Sequence, residues 1–229
     1  LNVLSWDIMC HDLTPSSSLG RNQEFYAAPR IDNLASCHAA LEALMNVETV
    51  ESNTISAVVL FDHEEIGSES STGARGPMLS HALERLADTR AVSREQFLRA
   101  LSRSACVSAD GAHAVHPNYV DRYEPEHQVA LNGGPVIKLN ANVRYATDAE
   151  SSALFQSACR SAGVPFQQYA HRSNLACGST IGPITAAQLG MMVVDVGSPQ
   201  LSMHSAREMA GASDPAYLTA ALNTFLSDG

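Results

Sequence analysis

The sequence predicts an α/β protein with a mixed, largely parallel sheet flanked by helices. Short apolar runs of strand length alternate along the chain with segments whose apolar residues recur at helical spacing. The 229 residues are 45% hydrophobic and 17% charged, a balance typical of a globular protein with a sizeable core. Polar residues also follow the ends of several predicted strands, which is where open α/β sheets bind ligands.

The first part of the chain is predicted to hold two strands with a helix between them. Residues 3–9 and 55–61 are apolar runs of strand length, whereas residues 14–23 are polar and serine-rich, which indicates a loop. Residues 33–46 carry apolar side chains at helical spacing, so a helix is predicted there.

The rest of the chain alternates helices with short strands. A capping box formed by Ser93 and Gln96 marks the start of one helix, and Gly163 supplies the C-terminal cap of another. The predicted helices cover residues 79–87, 94–104, 149–162, 185–189, 205–212 and 215–226, and the predicted strands cover residues 106–109, 136–139 and 191–196.

Composition argues against several classes of protein. The net charge is −10 and no cluster of basic residues occurs, so we expect no nucleic-acid partner. No run of about 18 apolar residues occurs, so no membrane partner or transmembrane helix is expected. The five cysteines are odd in number and lack C-x-x-C spacing, which argues against a disulfide scaffold or a four-cysteine zinc site. Such cysteine usage predicts a reducing, cytoplasmic location.

The adjacent carboxylates Glu64 and Glu65 directly follow the apolar run 55–61. Two neighbouring carboxylates repel each other unless a cation or a shared proton compensates their charge. One interpretation is that one glutamate ligates a metal while the other acts as a general base on water. The alternative is a solvated charge pair at the end of a strand.

Three further polar residues begin or follow predicted elements: Asp32, Asp110 and His204. Each has a structural alternative, because Asp32 could cap a helix, Asp110 could form a turn, and His204 could be a hydrogen-bonded core histidine. Together with the glutamate pair they form a set of carboxylates and one imidazole. This set suits zinc, with manganese or cobalt as alternatives.

Six segments carry a resemblance to a known family. They are PRIDNL (29–34), DHEEIGS (62–68), SADGAHAVHPN (108–118), GPVIK (134–138), CGSTIGP (177–183) and GSPQLSMHS (197–205). In this order, and over nearly the whole chain, the sequence resembles the aspartyl aminopeptidase family of zinc metallopeptidases. The resemblance implies a phosphorylase/hydrolase-like catalytic domain with two zinc ions in each active site.

The resemblance also implies a role for each candidate residue. Asp32 would bridge the two zinc ions, Glu65 and His204 would complete one zinc site, and Asp110 would ligate the other zinc ion. Glu64 would be the general base that takes a proton from the bridging water.

The substrates implied by the resemblance are peptides with an N-terminal Asp or Glu. Lys138 would supply the cation that binds the acidic side chain, with Tyr145 nearby and His113 as a substrate-contacting group. The structural alternative for Lys138 is a solvated lysine at a strand end. The alternative for His113 is a metal-binding pair with His116. The family also forms homo-oligomers, usually dodecamers at full length.

Two departures from the family pattern qualify these expectations. The family has a further zinc-ligand histidine far upstream, before an inserted dimerisation domain, and the sequence lacks that segment. Residues 1–25 are therefore expected to be the end of the inserted domain and its return strand. Residues 26–229 are expected to be the C-terminal part of the catalytic domain, incomplete at its N-terminus and binding one zinc ion. The second departure is Asn174, at a position that is often Asp in the family.

These departures keep two alternatives open. One is a non-catalytic fragment or assembly subunit that retains the fold. The other is a related di-zinc peptidase with neutral specificity, against which Lys138 argues.

Overall fold

The computed structural model describes residues 2–48 and 54–227. Within these residues, nine strands form two mixed sheets and six α-helices pack around them. The strands are β1 (Ser17–Leu19), β2 (Phe25–Ala28), β3 (Ala105–Ala109), β4 (Ala112–His113), β5 (Val136–Leu139), β6 (Gln167–Ala170), β7 (Met192–Gly197), β8 (Pro199–Leu201) and β9 (Glu208–Gly211).

The helices lie mainly between these strands in the sequence. They are α1 (Ile31–Met45), α2 (Met78–Thr89), α3 (Arg94–Arg103), α4 (Ala149–Ser161), α5 (Gly182–Leu189) and α6 (Asp214–Ser227), with 3-10 turns at Glu64–Ile66 and Pro117–Arg122. In the two described ranges, no helix has both the length and the apolar character needed to cross a membrane.

The two sheets differ in strand direction. The five-stranded sheet has the order β1-β2-β9-β8-β4, and its pairs are antiparallel apart from β4 with β8. The four-stranded sheet has the order β3-β7-β5-β6, in which β3–β7 and β5–β6 are parallel and β5–β7 is antiparallel. The predicted α/β class with mixed strand directions is confirmed, and parallel pairing predominates in the four-stranded sheet.

Two chain segments pass from one sheet to the other at the same place. Residues 110–111 connect β3 to β4, and Ser198 alone connects β7 to β8. The backbone N–H of Asp110 donates to the carbonyl of Val196 at 2.9 Å, which holds the two crossings together. A Cβ atom on Gly197 would lie 1.6 Å from the Asp110 carbonyl oxygen, so this approach requires glycine.

The main core lies between the four-stranded sheet and helices α1, α4 and α6. Ala39 and Ala43 are fully buried where α1 packs against α6, and their small side chains let the helices approach closely. The side-chain amide of Asn223 donates to the Ala43 carbonyl at 2.9 Å across this contact. Phe155 of α4 and Leu218 of α6 fill the centre and are fully buried.

Most predicted elements of the second part are confirmed, with ends that shift by at most three residues. The capping box of α3 is present, because the Ser93 hydroxyl accepts from Gln96 N–H and the Gln96 side chain accepts from Ser93 N–H. Gly163 follows α4 with a φ of 66°, the left-handed conformation expected of a C-terminal cap. The helix predicted for residues 33–46 is α1.

The strand predicted for residues 3–9 is wrong. This segment is irregular, and Val3, Leu4 and Trp6 are between 71% and 93% exposed. Among the described residues no strand pairs with it. An apolar run becomes a strand only when a neighbouring strand accepts its backbone hydrogen bonds.

The buried strand predicted for residues 55–61 is also wrong. Val58 packs against the main core, and the Ser56 hydroxyl donates to the Leu226 carbonyl at 2.6 Å. Ile55 and Leu60 are nevertheless each 48% exposed, and the described part of the chain places no strand beside this segment. The segment therefore runs along the edge of the main core without strand pairing to other described residues.

The helix predicted for residues 205–212 is wrong as well, because this region is a turn followed by β9. Glu, Met and Ala favour helix locally, but β9 pairs on one side with β2 and on the other with β8. The short strands β1, β2, β4 and β6 were not predicted, and β1 lies inside the predicted loop 14–23. Strands of two to four residues carry too little periodicity to be recognised.

The core assignment predicts a large loss of stability for Leu218→Ala. We expect the free energy of unfolding to fall by about 2–5 kcal/mol, because the substitution removes buried methyl groups and leaves a cavity. Leu98→Ala in α3 is the control, since Leu98 is 50% exposed, and its loss should stay below about 1 kcal/mol. Urea unfolding followed by circular dichroism measures both, and equal losses would contradict the assignment.

Candidate metal centre and active site

The candidate site lies beside the place where the chain crosses between the two sheets. Asp110 is part of one crossing, and His204 follows β8 at the other. A cleft of about 590 Å³ opens there. Its lining residues are Arg30, Asp32, Asn33, Leu34, Glu65, His204, Ser205 and Glu208.

Three predicted ligands meet in this cleft. The Nε2 atom of His204 lies 3.0 Å from Asp32 Oδ2 and 3.0 Å from Glu65 Oε2. One donor atom from each of the three residues lies within 4.8 Å of the other two. Tetrahedral zinc with bonds of about 2.0–2.2 Å separates its ligand atoms by about 3.4 Å, so these spacings suit a zinc ion.

Left-handed backbone conformations orient the segments that carry these ligands. Arg30, His63 and His204 have φ angles of 58°, 63° and 66°. The first two lie just before the Asp32 and Glu64 segments, and His204 is itself a candidate ligand. Non-glycine residues seldom adopt this conformation, and where they do the surrounding fold must impose it. These turns therefore help to direct the candidate ligand side chains into the cleft.

The position of Asp32 within its helix is unusual. Helix α1 begins at Ile31, but Asp32 and Asn33 have non-helical backbone angles. The Asn33 side-chain amide donates to the Ala109 carbonyl at 2.8 Å, which ties this irregular turn to the end of β3. Asp32 is therefore held beside Asp110 and is not a helix cap, since no side-chain capping bond forms at this helix start.

The buried face of Asp32 fits a cation. Its Oδ1 atom is buried and has no hydrogen-bond partner among the described residues. A Cβ atom on Gly111 would lie 3.0 Å from this oxygen and 3.1 Å from the Gln200 side-chain oxygen, so glycine leaves the space open. A buried carboxylate oxygen without a donor is costly unless a cation or proton compensates it.

The pKa values of Asp32 and Glu64 show that the ionised carboxylates are disfavoured in this site. Burial, followed by the charges of Asp110 and Glu65, raises the pKa of Asp32 to about 8. Burial, followed by the same two charges, raises the pKa of Glu64 to about 7, and Lys138 opposes this increase. Carboxylates packed this closely favour a bound cation or a retained proton. The residues present therefore fit a divalent metal ion.

The carboxylate of Glu64 is not one of the donor groups that converge in the cleft. It begins the 3-10 turn next to Glu65, and its side chain is half-buried. With a pKa near 7 it can accept and release a proton near neutral pH, which is the property required of a general base.

Asp110 contacts Lys138. The Lys138 Nζ atom lies 3.4 Å from Asp110 Oδ2, and Lys138 is only 3% exposed. The sequence contains no other lysine. The ammonium group also lies 5.4 Å from the centre of the Tyr145 ring. The solvated-lysine alternative is therefore wrong, because this side chain is buried beside a carboxylate and an aromatic face.

Tyr145 and His113 both lie near Lys138. Tyr145 is buried, and its hydroxyl lies 3.6 Å from Cys177 Sγ. His113 ends the two-residue strand β4. The protein displaces water from around the His113 ring, and this loss of hydration lowers its pKa. The positive charges of Lys138, His204 and His171 lower it further. The described metal cluster does not include His113 or His116.

Sequence reasoning missed the buried carboxylates Glu208, Asp195 and Asp214, of which the first two bind groups next to candidate site residues. Glu208 is 2% exposed and accepts hydrogen bonds from the backbone N–H groups of Asp32 and His204. Asp195 is fully buried and accepts from the hydroxyls of Ser108 and Thr180. The sequence could have indicated a role for Asp195, because it is a charged residue inside the apolar strand MVVDVG and unpaired charges are seldom buried.

Asp195 links elements that flank the site. Besides the two hydroxyls, it accepts the backbone N–H of Ala146, the residue after Tyr145, at 2.6 Å. Asn174, where the family often has Asp, lies on an exposed turn and accepts from Arg172 Nε at 3.2 Å.

The sequence matches known enzymes over almost its whole length. The family described as "Aminopeptidase I zinc metalloprotease (M18)" matches residues 1–226. A relative from Mycobacterium tuberculosis (strain ATCC 25618 / H37Rv), named "Probable M18 family aminopeptidase 2", is 51% identical over 232 residues. That match covers 99% of this chain and 54% of the relative, so the chain spans about half the length of the curated relatives it matches.

Solved structures agree with the sequence matches. "Cryo-EM structure of the Ape4 and Nbr1 complex" is similar with a TM-score of 0.86 and 38% identity, over 95% of this chain and 42% of that chain. "Structure of S. cerevesiae mApe1 dodecamer" is similar with a TM-score of 0.83 and 32% identity, over 94% of this chain and 48% of that chain. The chain therefore belongs to the M18 family of aminopeptidase I zinc metalloproteases.

Proposed function

We propose that this chain carries the zinc-binding and substrate-binding part of a metallo-aminopeptidase that removes N-terminal Asp or Glu from peptides. The observation that carries the proposal is the convergence of Asp32, Glu65 and His204 on one point, with Glu64 beside them. Family membership supports the aminopeptidase class and zinc.

We propose that Asp32, Glu65 and His204 hold one zinc ion. When bound, zinc supplies Lewis-acid polarisation and increases the acidity of water. Asp110 offers a further carboxylate near Asp32, and Lys138 balances its charge in this structure. Glu64 accepts a proton from the attacking water and returns it to the leaving amine, for which its pKa near 7 is suited.

In this proposal, Lys138 gives the enzyme its preference for substrates with an acidic N-terminal residue. A buried ammonium group requires a negative partner, which Asp110 provides at 3.4 Å. A substrate carboxylate that reaches this pocket would gain the same charge-assisted contact, whereas a neutral side chain would gain nothing. Tyr145 lies with its ring beside the ammonium group, and we propose His113, whose pKa is lowered in part by the charge of Lys138, as a second substrate contact.

Assembly, domain division and location extend the proposal. The similar yeast structure is named as a dodecamer, which supports a homo-oligomer here. We also propose that residues 1–25 are the end of a separate domain, and the exposed apolar side chains of residues 3–9 are suited to packing on another surface. Five cysteines free of disulfides are compatible with a cytoplasmic location.

The carboxyl pKa values predict how the stability of the metal-free chain depends on pH. The pKa of Asp32 is raised on folding from 3.8 to about 8, and that of Glu64 from 4.5 to about 7. A carboxyl group with a raised pKa holds its proton more tightly in the folded state. Folding is therefore favoured most at low pH, and this advantage is lost as the pH increases through the folded-state values.

We therefore expect the free energy of unfolding to fall between about pH 4 and pH 8 in the presence of a chelator. Urea unfolding across this range measures it. Asp32→Asn should flatten the dependence, while the exposed Asp88→Asn should not. An Asp32→Asn variant with the wild-type pH dependence would contradict the assigned cause.

Hydrolysis tests the proposed function directly. We expect zinc-dependent, chelator-sensitive cleavage of a peptide with N-terminal Asp, in preference to a matched peptide with N-terminal Leu. Glu64→Gln should reduce kcat by at least about 100-fold, because it removes the general base, while zinc content stays at one ion per chain.

Three outcomes of that assay are informative. Equal cleavage of both peptides would support neutral specificity, and zinc binding without cleavage would support the non-catalytic alternative. Two firmly held zinc ions per chain would contradict the single-site proposal.

Lys138→Met tests acidic specificity. The substitution keeps the apolar stem beside Tyr145 and removes the charge, so the preference for Asp over Leu should fall by about thirtyfold or more, equivalent to about 2 kcal/mol. Arg144→Met is the control, because Arg144 is a basic but exposed neighbour. The ratio of kcat/KM values for the two peptides is the measurement, and an unchanged ratio in an active variant refutes the role of Lys138.

A further inference from the structure

Glu208 joins the backbones of two candidate zinc ligands that lie far apart in the sequence. Its Oε2 atom accepts the backbone N–H of Asp32 at 2.8 Å, and its Oε1 atom accepts the backbone N–H of His204 at 2.7 Å. The side chain is 2% exposed and lies at the start of β9, opposite Ala28 of β2. The single carboxylate therefore fixes the relative position of Asp32 and His204.

The charge of Glu208 has no basic side-chain partner in residues 2–48 and 54–227, since no side-chain nitrogen of Lys, Arg or His lies within 4.0 Å of its carboxylate. Its two oxygens are satisfied by backbone donors from two residues whose side chains point to the same place. A buried carboxylate is costly to maintain, so a neutral residue would serve better if the position only filled space.

We propose that Glu208 is a positioning residue that pre-organises the zinc site by holding the Asp32 and His204 backbones at the spacing required for metal binding. The inference rests on the proposed zinc site. It acts through the ligand backbones, and Glu208 is not among the three residues whose donor atoms converge. Groups that orient metal ligands typically contribute 10- to 100-fold to metal affinity.

The chemistry of the two hydrogen bonds predicts which substitution fails. Both partners of Glu208 are N–H donors, so both side-chain oxygens must accept. Glutamine has nearly the same size but offers one accepting oxygen and one donating NH2 group. In Glu208→Gln, one backbone N–H faces another donor, and one of the two ligand segments is released.

Asp214 provides a matched control within the same chain. It is fully buried, and its two oxygens also accept one backbone N–H each, from Asn132 at 2.7 Å and from Gly134 at 2.9 Å. It begins α6, after the end of β9, and neither partner is a candidate metal ligand. Asp214→Asn therefore removes the same kind of double acceptor without touching the zinc site.

The experiment measures zinc affinity by competition with a chromogenic chelator in the wild type, Glu208→Gln and Asp214→Asn. We expect Glu208→Gln to bind zinc about 10- to 100-fold more weakly and to shift the visible absorption spectrum of bound cobalt. Asp214→Asn should lose thermal stability but keep the wild-type zinc affinity and cobalt spectrum. A purely structural role would lower the stability of both variants and leave metal affinity unchanged in both.

If Glu208→Gln does not fold, a second measurement on the wild type still tests the proposal. Hydrogen exchange of the metal-free wild type should show the Asp32 and His204 amides protected from solvent, as the bonds to Glu208 require. Exchange of these amides at the rate of free loop amides overturns the proposal. A wild type that binds no zinc overturns both the zinc site and the role of Glu208, whereas zinc binding with equal affinity in Glu208→Gln overturns that role alone.

Discussion

Electrostatic repulsion among the carboxylates of Asp32, Glu64, Glu65 and Asp110 is the constraint on which the rest of this structure depends. Burial, followed by the charges of neighbouring carboxylates, raises the pKa of Asp32 to about 8 and that of Glu64 to about 7. The fold must hold them there against their mutual repulsion until a cation compensates the charge. Lys138 neutralises one side of the group, and the imidazole of His204 lies between two carboxylates on the other.

The architecture meets this constraint by placing the candidate ligands beside a tight crossing between the two sheets. The chain crosses between its two sheets twice at one point, and the crossing is so tight that Gly197 admits no side chain. Left-handed residues then turn the neighbouring segments toward the cleft. Rigid strands and helices beneath these turns limit how far the acidic side chains can separate, which suits a site that has to be arranged before its ligand arrives.

The sequence was sufficient to predict the α/β class, the helices α2–α6 and the strands β3, β5 and β7, because their apolar spacing and caps are local signals. It failed at residues 55–61 and in β9, where strand formation depends on which backbone lies alongside rather than on local propensity. At the site, short motifs pointed to Asp32, Glu65 and His204, whose donor atoms the structure brings together. The contact between Lys138 and Asp110 and the double acceptor at Glu208 could not be predicted, since both join residues distant in sequence through the tertiary fold.

The burial of Lys138 has a practical consequence for chemical labelling. As the single lysine of the sequence, it is the only ε-amine available, and the remaining Lys/Arg positions are all arginines. Reagents that modify lysine side chains therefore have one target, and this target lies inside the candidate substrate pocket at 3% exposure. Isotope-labelled methyl groups attached to this amine would give one lysine signal beside Asp110 and Tyr145, separate from that of the α-amine, without the overlapping signals that surface lysines produce in most proteins.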